Sequence, residues 1–187
     1  MNPIEKMETM VDKAALRKAL KLTLAQLDPG RKADWDAVIG AHVLAWWRHA
    51  RPAALAVYWP LPGEPDLSAA YAELAASGVR LALPVVVERH AALGFAEWLP
   101  GEAMLADRMG IAVPADLRMM ERPPALLLPC LGYNAEGYRL GYGGGFYDRT
   151  LEAQPRALAV GVAYACQQAQ FASAPHDVAL DLLIPEN

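Results

Sequence analysis

Apolar residues recur every three to four positions near the start of the chain, which is the spacing of one face of an amphipathic helix. In residues 9–27 this stripe consists of Leu16, Leu20, Leu24 and Leu27. The Asp-Pro-Gly sequence at 28–30 is expected to end that helix, because proline and glycine interrupt helical backbone. A second helix is expected to follow Asp34, a residue type favoured as an N-cap. Its apolar stripe consists of Trp35, Val38, Ile39, His42, Val43 and Trp46.

From residue 53 onward the pattern changes to short apolar runs, which predict strands. The predicted strands cover residues 53–59, 79–87, 94–99, 125–129, 157–164 and 178–184. The run at 94–99 is expected to pair antiparallel with a neighbour. A helix capped by Asp66 and a short helix from about Phe146 are predicted between strands. Residues 100–124 are expected to be rich in loops, because four prolines interrupt them.

Strands that alternate with helices are typical of a mainly parallel sheet covered on both faces. The chain has 187 residues, the length of one domain, and no stretch resembles a linker that would divide it. We therefore predict a single α/β domain over residues 1–187. Its sheet is expected to be mainly parallel and doubly wound, with helices on both faces.

The charge and composition of the chain argue against several classes of binding partner. The net charge is −4, so the basic excess typical of nucleic-acid-binding proteins is missing. Cys130 and Cys166 form no metal or disulfide motif, which is typical of a reducing compartment. No apolar run has the ~20 residues that a membrane span needs, and the first residues do not follow a signal-peptide pattern. We expect a cytoplasmic monomer that takes a small-molecule substrate and has no nucleic-acid or membrane partner.

The chemistry is expected to concentrate in the sequence RLGYGGGFYDR, residues 139–149, which contains four glycines. A glycine cluster is entropically costly, so it indicates a close approach to a ligand, an anion-binding nest or a mobile loop. The segment is not a P-loop, because Phe146 and Tyr147 stand where that motif has Lys and Ser or Thr. The dinucleotide-binding motif also fails, because it needs a glycine where Phe146 stands. What remains is a nest of backbone N–H groups that leads into a helix N-terminus and binds anions.

Two charged residues in this segment have side chains that suit the binding of phosphate and of its metal ion. Arg139 can hold phosphate oxygens with its two-pronged guanidinium. Asp148 is a hard oxygen ligand of the kind that Mg²⁺ takes. The alternative, which the pattern alone leaves about equally open, is a mobile glycine loop in which Asp148 only caps the helix.

Four residues elsewhere could extend this site. Lys13 and Arg17 are one helical turn apart, so they could clamp a polyphosphate, although an ordinary solvated helix face is the simpler interpretation. Glu64, in a proline-bounded turn, is either a substrate contact or a surface carboxylate. Asp177 is either a second metal ligand or a turn residue before a strand. The histidines have no metal-ligand spacing, and no motif of a serine or cysteine nucleophile is present.

Together these features resemble the 5-formyltetrahydrofolate cyclo-ligase family, also called methenyltetrahydrofolate synthetases. The resemblance covers nearly the whole chain in order: KAALR near the start, the turn at Glu64, LLLPCLGYNAEGYRLGYGGGFYDRTL, and HDVALD near the end. It implies a doubly wound α/β sheet, ATP and Mg²⁺ as cofactors, and a folate substrate. The implied reaction converts 5-formyltetrahydrofolate to 5,10-methenyltetrahydrofolate and releases ADP and phosphate.

The resemblance also implies roles for individual residues. The ATP-binding residues would be Lys13, Arg17, Arg139, Leu140, Gly141, Tyr142, Gly143, Gly144, Gly145, Phe146 and Tyr147. The folate-binding residues would be Trp59, Glu64, Tyr142 and Phe146, and the magnesium ligands would be Asp148 and Asp177. Some members of the family carry a basic residue in place of Tyr142 and a lysine in place of Gly144; both positions are uncharged here.

Two other functions remain open on the sequence alone. A non-catalytic protein that binds nucleotides or anions could keep the same fold and the same glycine segment. A sugar-phosphate isomerase on a related α/β scaffold is a further alternative. Such an isomerase would need an acid–base pair in place of ATP and Mg²⁺.

Overall fold

Four α-helices and eleven β-strands follow one another along residues 12–187, which are the residues that the computed structural model describes. The helices are α1 (Lys13–Ala25), α2 (Pro29–Ala50), α3 (Ser68–Ala76) and α4 (Phe146–Glu152). The strands are β1 (Ala54–Ala56), β2 (Arg80–Val85), β3 (Gly94–Trp98), β4 (Met104–Ala106), β5 (Ala112–Pro114), β6 (Met119–Met120), β7 (Ala125–Pro129), β8 (Gly132–Tyr133), β9 (Arg139–Leu140), β10 (Leu158–Val162) and β11 (Leu182–Ile184). None of these four helices has both the length and the apolar composition needed to cross a membrane.

Seven of the strands form the central sheet, in the order β11-β10-β7-β1-β2-β3-β6. The five strands from β11 to β2 are parallel to one another. Strand β3 is antiparallel to β2 on one side and to β6 on the other. The prediction of a mainly parallel α/β sheet is therefore confirmed, as is the antiparallel pairing of the run at 94–99. The remaining strands form two separate antiparallel pairs, β4–β5 and β8–β9.

The order of the strands reverses at β1. The chain first adds β2 on one side of β1, and later adds β7, β10 and β11 on the other side. In doubly wound sheets, ligands bind beyond the carboxyl ends of the strands at such a switch point. The carboxyl ends of β1 and β7 are therefore where this fold favours a site.

The side chains of β7 alternate between the two faces of the sheet, because successive residues of a strand point in opposite directions. Leu127 packs in the larger apolar cluster, to which α1, α2 and α3 contribute. Leu126 and Leu128 pack on the opposite face, together with Leu151 of α4. Burial on both sides explains why residues 125–129 are uniformly apolar. Among the described residues, three helices cover one face and α4 covers the other, so the prediction of helices on both faces is confirmed.

The boundary between α1 and α2 differs from the prediction. The Asp-Pro-Gly sequence at 28–30 begins α2: Asp28 is the N-cap and accepts a hydrogen bond from an N–H three residues later at 2.9 Å. Proline is favoured at the first helical position because it has no N–H to satisfy there. The prediction of Asp34 as N-cap is wrong, since this residue lies inside α2. Residues 9–11, which the prediction placed in the first helix, lie outside the described residues.

Three other local predictions agree with the structure only in part. The run at 178–184 pairs in the sheet only over β11, and before that point the N–H of Leu180 bonds a loop carbonyl at 2.9 Å. Residues 100–124 contain the short strands β4, β5 and β6 between their loops. Asp66 accepts a hydrogen bond from the N–H of Ser68, so it stabilises the start of α3 although it lies one position before the N-cap.

Candidate active site

A cavity of about 480 Å³ opens at the carboxyl ends of β1, β2 and β7, where the strand order reverses. Its wall includes Tyr58 and Trp59 after β1, Pro84 in β2 and Pro129 at the end of β7. All residues that the sequence assigned to ATP, folate or magnesium line this one cavity: Lys13, Arg17, Trp59, Glu64, residues 139–147, Asp148 and Asp177. The fold thus brings together groups that are far apart along the chain.

The glycine segment forms a loop between β9 and α4 along this cavity. Gly143 and Gly145 have positive φ values of 100° and 64°, a region that is costly for any residue with a Cβ. Gly145 is also the N-cap of α4, which begins at Phe146 as predicted. Arg17 fixes the start of the loop, because its Nε donates to the carbonyl oxygen of Gly141 at 2.8 Å.

Two ion pairs join the predicted phosphate-binding cations to the predicted metal ligands. Nζ of Lys13 lies 2.9 Å from Oδ2 of Asp177, and Nη2 of Arg139 lies 3.0 Å from Oδ2 of Asp148. The side chain of Arg139 is only 5% exposed. Its Nε is buried and has no hydrogen-bond partner among the described residues. A buried donor without a partner is costly. The positive charge of Arg139 nevertheless borders the cavity, where it favours an anionic ligand.

The surroundings of Asp177 favour its charged form. Burial alone would raise the pKa of this carboxyl. Hydrogen bonds from the N–H of Ala174 and from Lys13 outweigh burial and hold the pKa of Asp177 below its ordinary value. The carboxyl group is therefore ionised at neutral pH, which is the state that binds a cation.

Asp148 and Asp177 belong to neighbouring segments, as a shared magnesium ion requires. The turn that contains Asp177 lies beside α4, because the N–H of Val178 donates to Oδ1 of Asp148 at 3.4 Å. Within residues 12–187, no group of three or more His, Cys, Asp or Glu side chains is arranged to hold a metal ion. Two carboxylates at a cavity wall suit Mg²⁺, which is usually bound by one or two carboxylates together with water and substrate phosphate. They do not suit a metal that needs a complete set of protein ligands.

Helix α1 borders the cavity through Lys13 and Arg17. Near the start of the helix, Lys13 contacts Asp177. Near its end, Leu24 packs against the turn before Glu64: a Cβ added at Gly63 would lie 3.2 Å from the Cβ of Leu24. Lys13 and Leu24 are about 16 Å apart along the axis, since a helix rises about 1.5 Å per residue. Lys13 and Glu64, which both line the cavity, therefore mark two ends of the site.

Glu64 is buried at this second end, with 3% of the residue exposed. Its Oε2 accepts a hydrogen bond from the N–H of Leu61 at 2.8 Å. Burial raises the pKa of Glu64, and the Leu61 N–H and the Tyr142 hydroxyl partly oppose this rise. A buried carboxylate with remaining acceptor capacity is suited to a ligand edge that carries two N–H donors.

Aromatic side chains provide flat surfaces in the same cavity. Trp59 is partly exposed, and its ring makes an edge contact with Trp98 at 6.1 Å between centroids. Tyr142 is also exposed, with Nζ of Lys21 located 5.2 Å from its ring centroid. These surfaces, together with the carboxylate of Glu64, suit a flat heterocycle with hydrogen-bond donors.

Part of the wall was not predicted from the sequence. It consists of turn residues between 107 and 112, where β4 meets β5, and of loop residues such as Leu93. Asp107 shapes the turn, because its Oδ1 accepts two N–H groups of the turn at 2.8 and 2.9 Å. Apolar loop residues carry no chemical motif, so no signal in the sequence assigns them. Lys21 is not part of the wall, but it contacts the ring of Tyr142 and was also not assigned, although it lies one helical turn after Arg17.

The lining favours positioning and charge neutralisation over covalent catalysis. Among the described residues of the wall there is no serine, threonine or cysteine. Cys130 lies outside the wall, and burial raises the pKa of its thiol to about 12, so it is uncharged at neutral pH. Cations, carboxylates and backbone N–H groups are what phosphoryl transfer requires of a protein.

Comparisons with known proteins find relatives along nearly the whole chain. A sequence profile of the 5-formyltetrahydrofolate cyclo-ligase family matches residues 9–186. The 5-formyltetrahydrofolate cyclo-ligase of Mycoplasma genitalium is 29% identical over 180 residues, which cover 94% of this chain and 98% of that protein. The enzyme of the same name from Mycoplasma pneumoniae is 45% identical over 62 residues, which cover 31% of this chain and 36% of that protein. A solved structure of a 5,10-methenyltetrahydrofolate synthetase from Mycoplasma pneumoniae matches with a TM-score of 0.80 and 26% identity, covering 94% of this chain and 99% of that chain.

Proposed function

The chain belongs to the 5-formyltetrahydrofolate cyclo-ligase family, and from that premise we propose that it converts 5-formyltetrahydrofolate to 5,10-methenyltetrahydrofolate, with consumption of ATP and release of ADP and phosphate. One observation carries the proposal: phosphate-binding groups and the buried carboxylate of Glu64 line a single cavity. A cavity lined in this way would bring the phosphates of a nucleotide close to the pterin part of a folate.

We assign the ATP phosphates to the end of the cavity that contains Lys13, Arg139 and the glycine loop. The guanidinium of Arg139 and the backbone N–H groups of the loop are donors of the kind that phosphate oxygens need, and both belong to the cavity wall. Asp148 and Asp177 are the residues that would hold Mg²⁺, which supplies charge neutralisation between phosphate oxygens when bound. In that arrangement the cations of the two ion pairs would neutralise phosphate charge, and the two carboxylates would hold the metal.

We assign the pterin part of the folate to the end that contains Glu64. The pterin pyrimidine ring carries an amino group beside a ring N–H, and this edge matches the two oxygens of a carboxylate. The flat sides of the ring are expected to contact Trp59, Tyr142 and Phe146, which line the same cavity. This arrangement directs the formyl group of the folate towards the phosphate end.

The proposed reaction has two bond exchanges and needs no protein nucleophile. The formyl oxygen attacks the γ-phosphorus, so a C–O–P link forms and the bond to ADP breaks. Nitrogen 10 then attacks the formyl carbon and loses its proton, and phosphate leaves with the former formyl oxygen. The protein contributes orientation of the two substrates and neutralisation of phosphate charge, for which the described wall of the cavity has suitable groups.

Replacing Lys13 or Arg17 by alanine is expected to raise KM for ATP by about 10- to 100-fold, because each change removes a charge-assisted contact of roughly 1.5–3 kcal/mol. The fold is expected to remain intact, since alanine is a strong helix former. KM for ATP and the melting temperature test this expectation. Lys18→Ala is the matched control, because Lys18 is exposed on the same helix. Wild-type KM values in both variants would mean that Lys13 and Arg17 serve only their contacts with Asp177 and Gly141 and do not bind ATP.

The proposed function itself is tested by mixing the protein, ATP, Mg²⁺ and 5-formyltetrahydrofolate and following the absorbance of the methenyl product. Product is expected only when ATP is present. A protein that binds ATP but forms no product at high protein concentration would be a non-catalytic nucleotide-binding protein of the same fold. The monomeric state, the cytoplasmic location and the lack of nucleic-acid or membrane partners stay predictions from the sequence.

A further inference from the structure

Arg149, the last residue of the glycine segment, has a role that the sequence did not indicate. Its Nη2 donates to the carbonyl oxygen of Gly144 at 2.7 Å, and its Nε donates to the carbonyl oxygen of Ala91 at 3.1 Å. Its guanidinium carbon also lies 5.2 Å from the centroid of the Phe146 ring. Arg149 is not part of the cavity wall, whereas Gly144, Gly145 and Phe146 are. The side chain therefore holds the glycine loop from outside the cavity.

The hydrogen bond to Gly144 determines which way one peptide group of the loop faces. In a trans peptide the C=O and the following N–H point in opposite directions. Because the Gly144 carbonyl is directed at Arg149, which lies outside the cavity wall, the N–H of Gly145 is directed away from Arg149. A peptide between two glycines meets little steric resistance to rotation, since neither residue has a Cβ. Without Arg149, this peptide could turn and present its carbonyl oxygen to the cavity.

We infer that Arg149 is a positioning residue for ATP: it holds the Gly144–Gly145 peptide in the orientation that offers an N–H, and not a carbonyl oxygen, to phosphate. This inference rests on the proposed function and adds one residue to its ATP site. It also identifies a cation that stabilises the loop at Gly144 without facing the cavity. Arg17 acts similarly at Gly141, but from the cavity wall.

A purely structural role is the competing interpretation, because Arg149 also bonds the loop at Ala91. That loop, however, has a second attachment to α4: the N–H of Leu93 donates to Oγ1 of Thr150 at 2.9 Å. Thr150 in turn donates to the carbonyl oxygen of Phe146 at 2.7 Å. Loss of Arg149 should therefore leave the loop around residue 93 attached, while the Gly144 carbonyl loses its side-chain donor.

The test compares Arg149→Ala, Arg149→Lys and wild type by calorimetric titration with MgATP and, separately, with 5-formyltetrahydrofolate. We expect Arg149→Ala to raise Kd for MgATP by about 10- to 100-fold. Kd for the folate should rise by a clearly smaller factor, since there the variant loses only the contact of Arg149 with the Phe146 ring. Arg149→Lys should fall between wild type and Arg149→Ala, because one ammonium group cannot bond both carbonyls in the geometry of the guanidinium fork. Arg89→Ala is the control, since Arg89 is an exposed arginine of the loop that contains Ala91.

An unchanged Kd for MgATP in both Arg149 variants would overturn the inference. Equal losses for MgATP and folate, with a lowered melting temperature, would also overturn it and assign Arg149 a structural role. If Arg149→Ala does not fold, the changes in Kd for MgATP and for the folate are compared in Arg149→Lys. Failure of the proposed function is a separate result, because it would appear as wild-type protein that forms no methenyl product. A wild-type enzyme that is active, with an Arg149→Ala variant that binds MgATP normally, would contradict the Arg149 inference alone.

Discussion

Asp148→Asn is expected to lower kcat for methenyl formation by about 100-fold or more at ordinary Mg²⁺ concentrations, with partial recovery when Mg²⁺ is raised. The substitution keeps the shape of the side chain but removes the charge of a proposed metal ligand, and Mg²⁺ prefers carboxylate oxygen. It also leaves the guanidinium of Arg139, which is 5% exposed, without its counter-charge. An unpaired buried charge is destabilising, so the melting temperature should fall as well.

The measurement is kcat at low and high Mg²⁺, together with the melting temperature. Glu152→Gln is the control for loss of one negative charge, because Glu152 is exposed at the end of the same helix. Asp177→Asn should show the same magnesium dependence with a smaller loss of rate, since Oδ2 of Asp177 already accepts hydrogen bonds from Lys13 and from the N–H of Ala174. Wild-type kcat in Asp148→Asn, with only a lowered melting temperature, would mean that Asp148 is a structural partner of Arg139 and no metal ligand.

Glu64→Gln is expected to raise KM for 5-formyltetrahydrofolate by about 100-fold, because two hydrogen bonds to a charged acceptor are each weakened by roughly 1–1.5 kcal/mol. KM for ATP should change by less than about 3-fold, since the phosphates are assigned to the other end of the cavity. A rise in KM for the folate without a rise in KM for ATP would distinguish the loss of a folate contact from general damage to the site.

The same substitution is expected to increase stability at neutral pH. Burial raises the pKa of Glu64 above its value in the unfolded chain, so the folded state binds this proton more tightly. The charged carboxylate therefore costs stability progressively as the pH rises from the unfolded pKa through the higher folded pKa. Glutamine carries no charge and keeps an acceptor for the N–H of Leu61. Its advantage in melting temperature over wild type should be present at pH 7 and absent below about pH 4, where glutamate is protonated in both states.

Kinetics and melting curves at both pH values test these expectations, with Glu88→Gln as the control at an exposed glutamate. An unchanged KM for the folate would remove Glu64 from the folate site. A melting temperature that falls at pH 7 would mean that the carboxylate stabilises the fold through contacts other than the hydrogen bond to Leu61.

The sequence predicted strands best where both faces of the strand are buried, because such positions tolerate only apolar residues. Residues 125–129 are apolar at every position because both faces of β7 are covered, and the predicted strand has the observed bounds. The start of α4 at Phe146 was predicted equally well, since the glycines end just before it. The Asp-Pro-Gly sequence was ambiguous, because the same three residues can end one helix or begin the next.

The partners of charged side chains could not be predicted from the sequence. The residues assigned from the sequence do line one cavity, but the pairing of Lys13 with Asp177 depends on how α1 packs beside a distant turn, and that of Arg139 with Asp148 on how β9 lies beside α4. Arg149 belongs to the most informative segment of the chain, and the spacing of that segment gives no indication that its side chain turns back to Gly144. Hydrogen bonds between side chains and loop carbonyls are set by tertiary structure, which local patterns do not encode.

The most direct test of the central claim is the ratio of ADP released to methenyl product formed by the wild-type protein with ATP, Mg²⁺ and 5-formyltetrahydrofolate. If one cavity couples ATP cleavage to closure of the folate ring, the ratio is one, and neither product accumulates when the other substrate is left out. Release of ADP at the same rate without the folate, or formation of the methenyl product without ATP, would contradict that coupling.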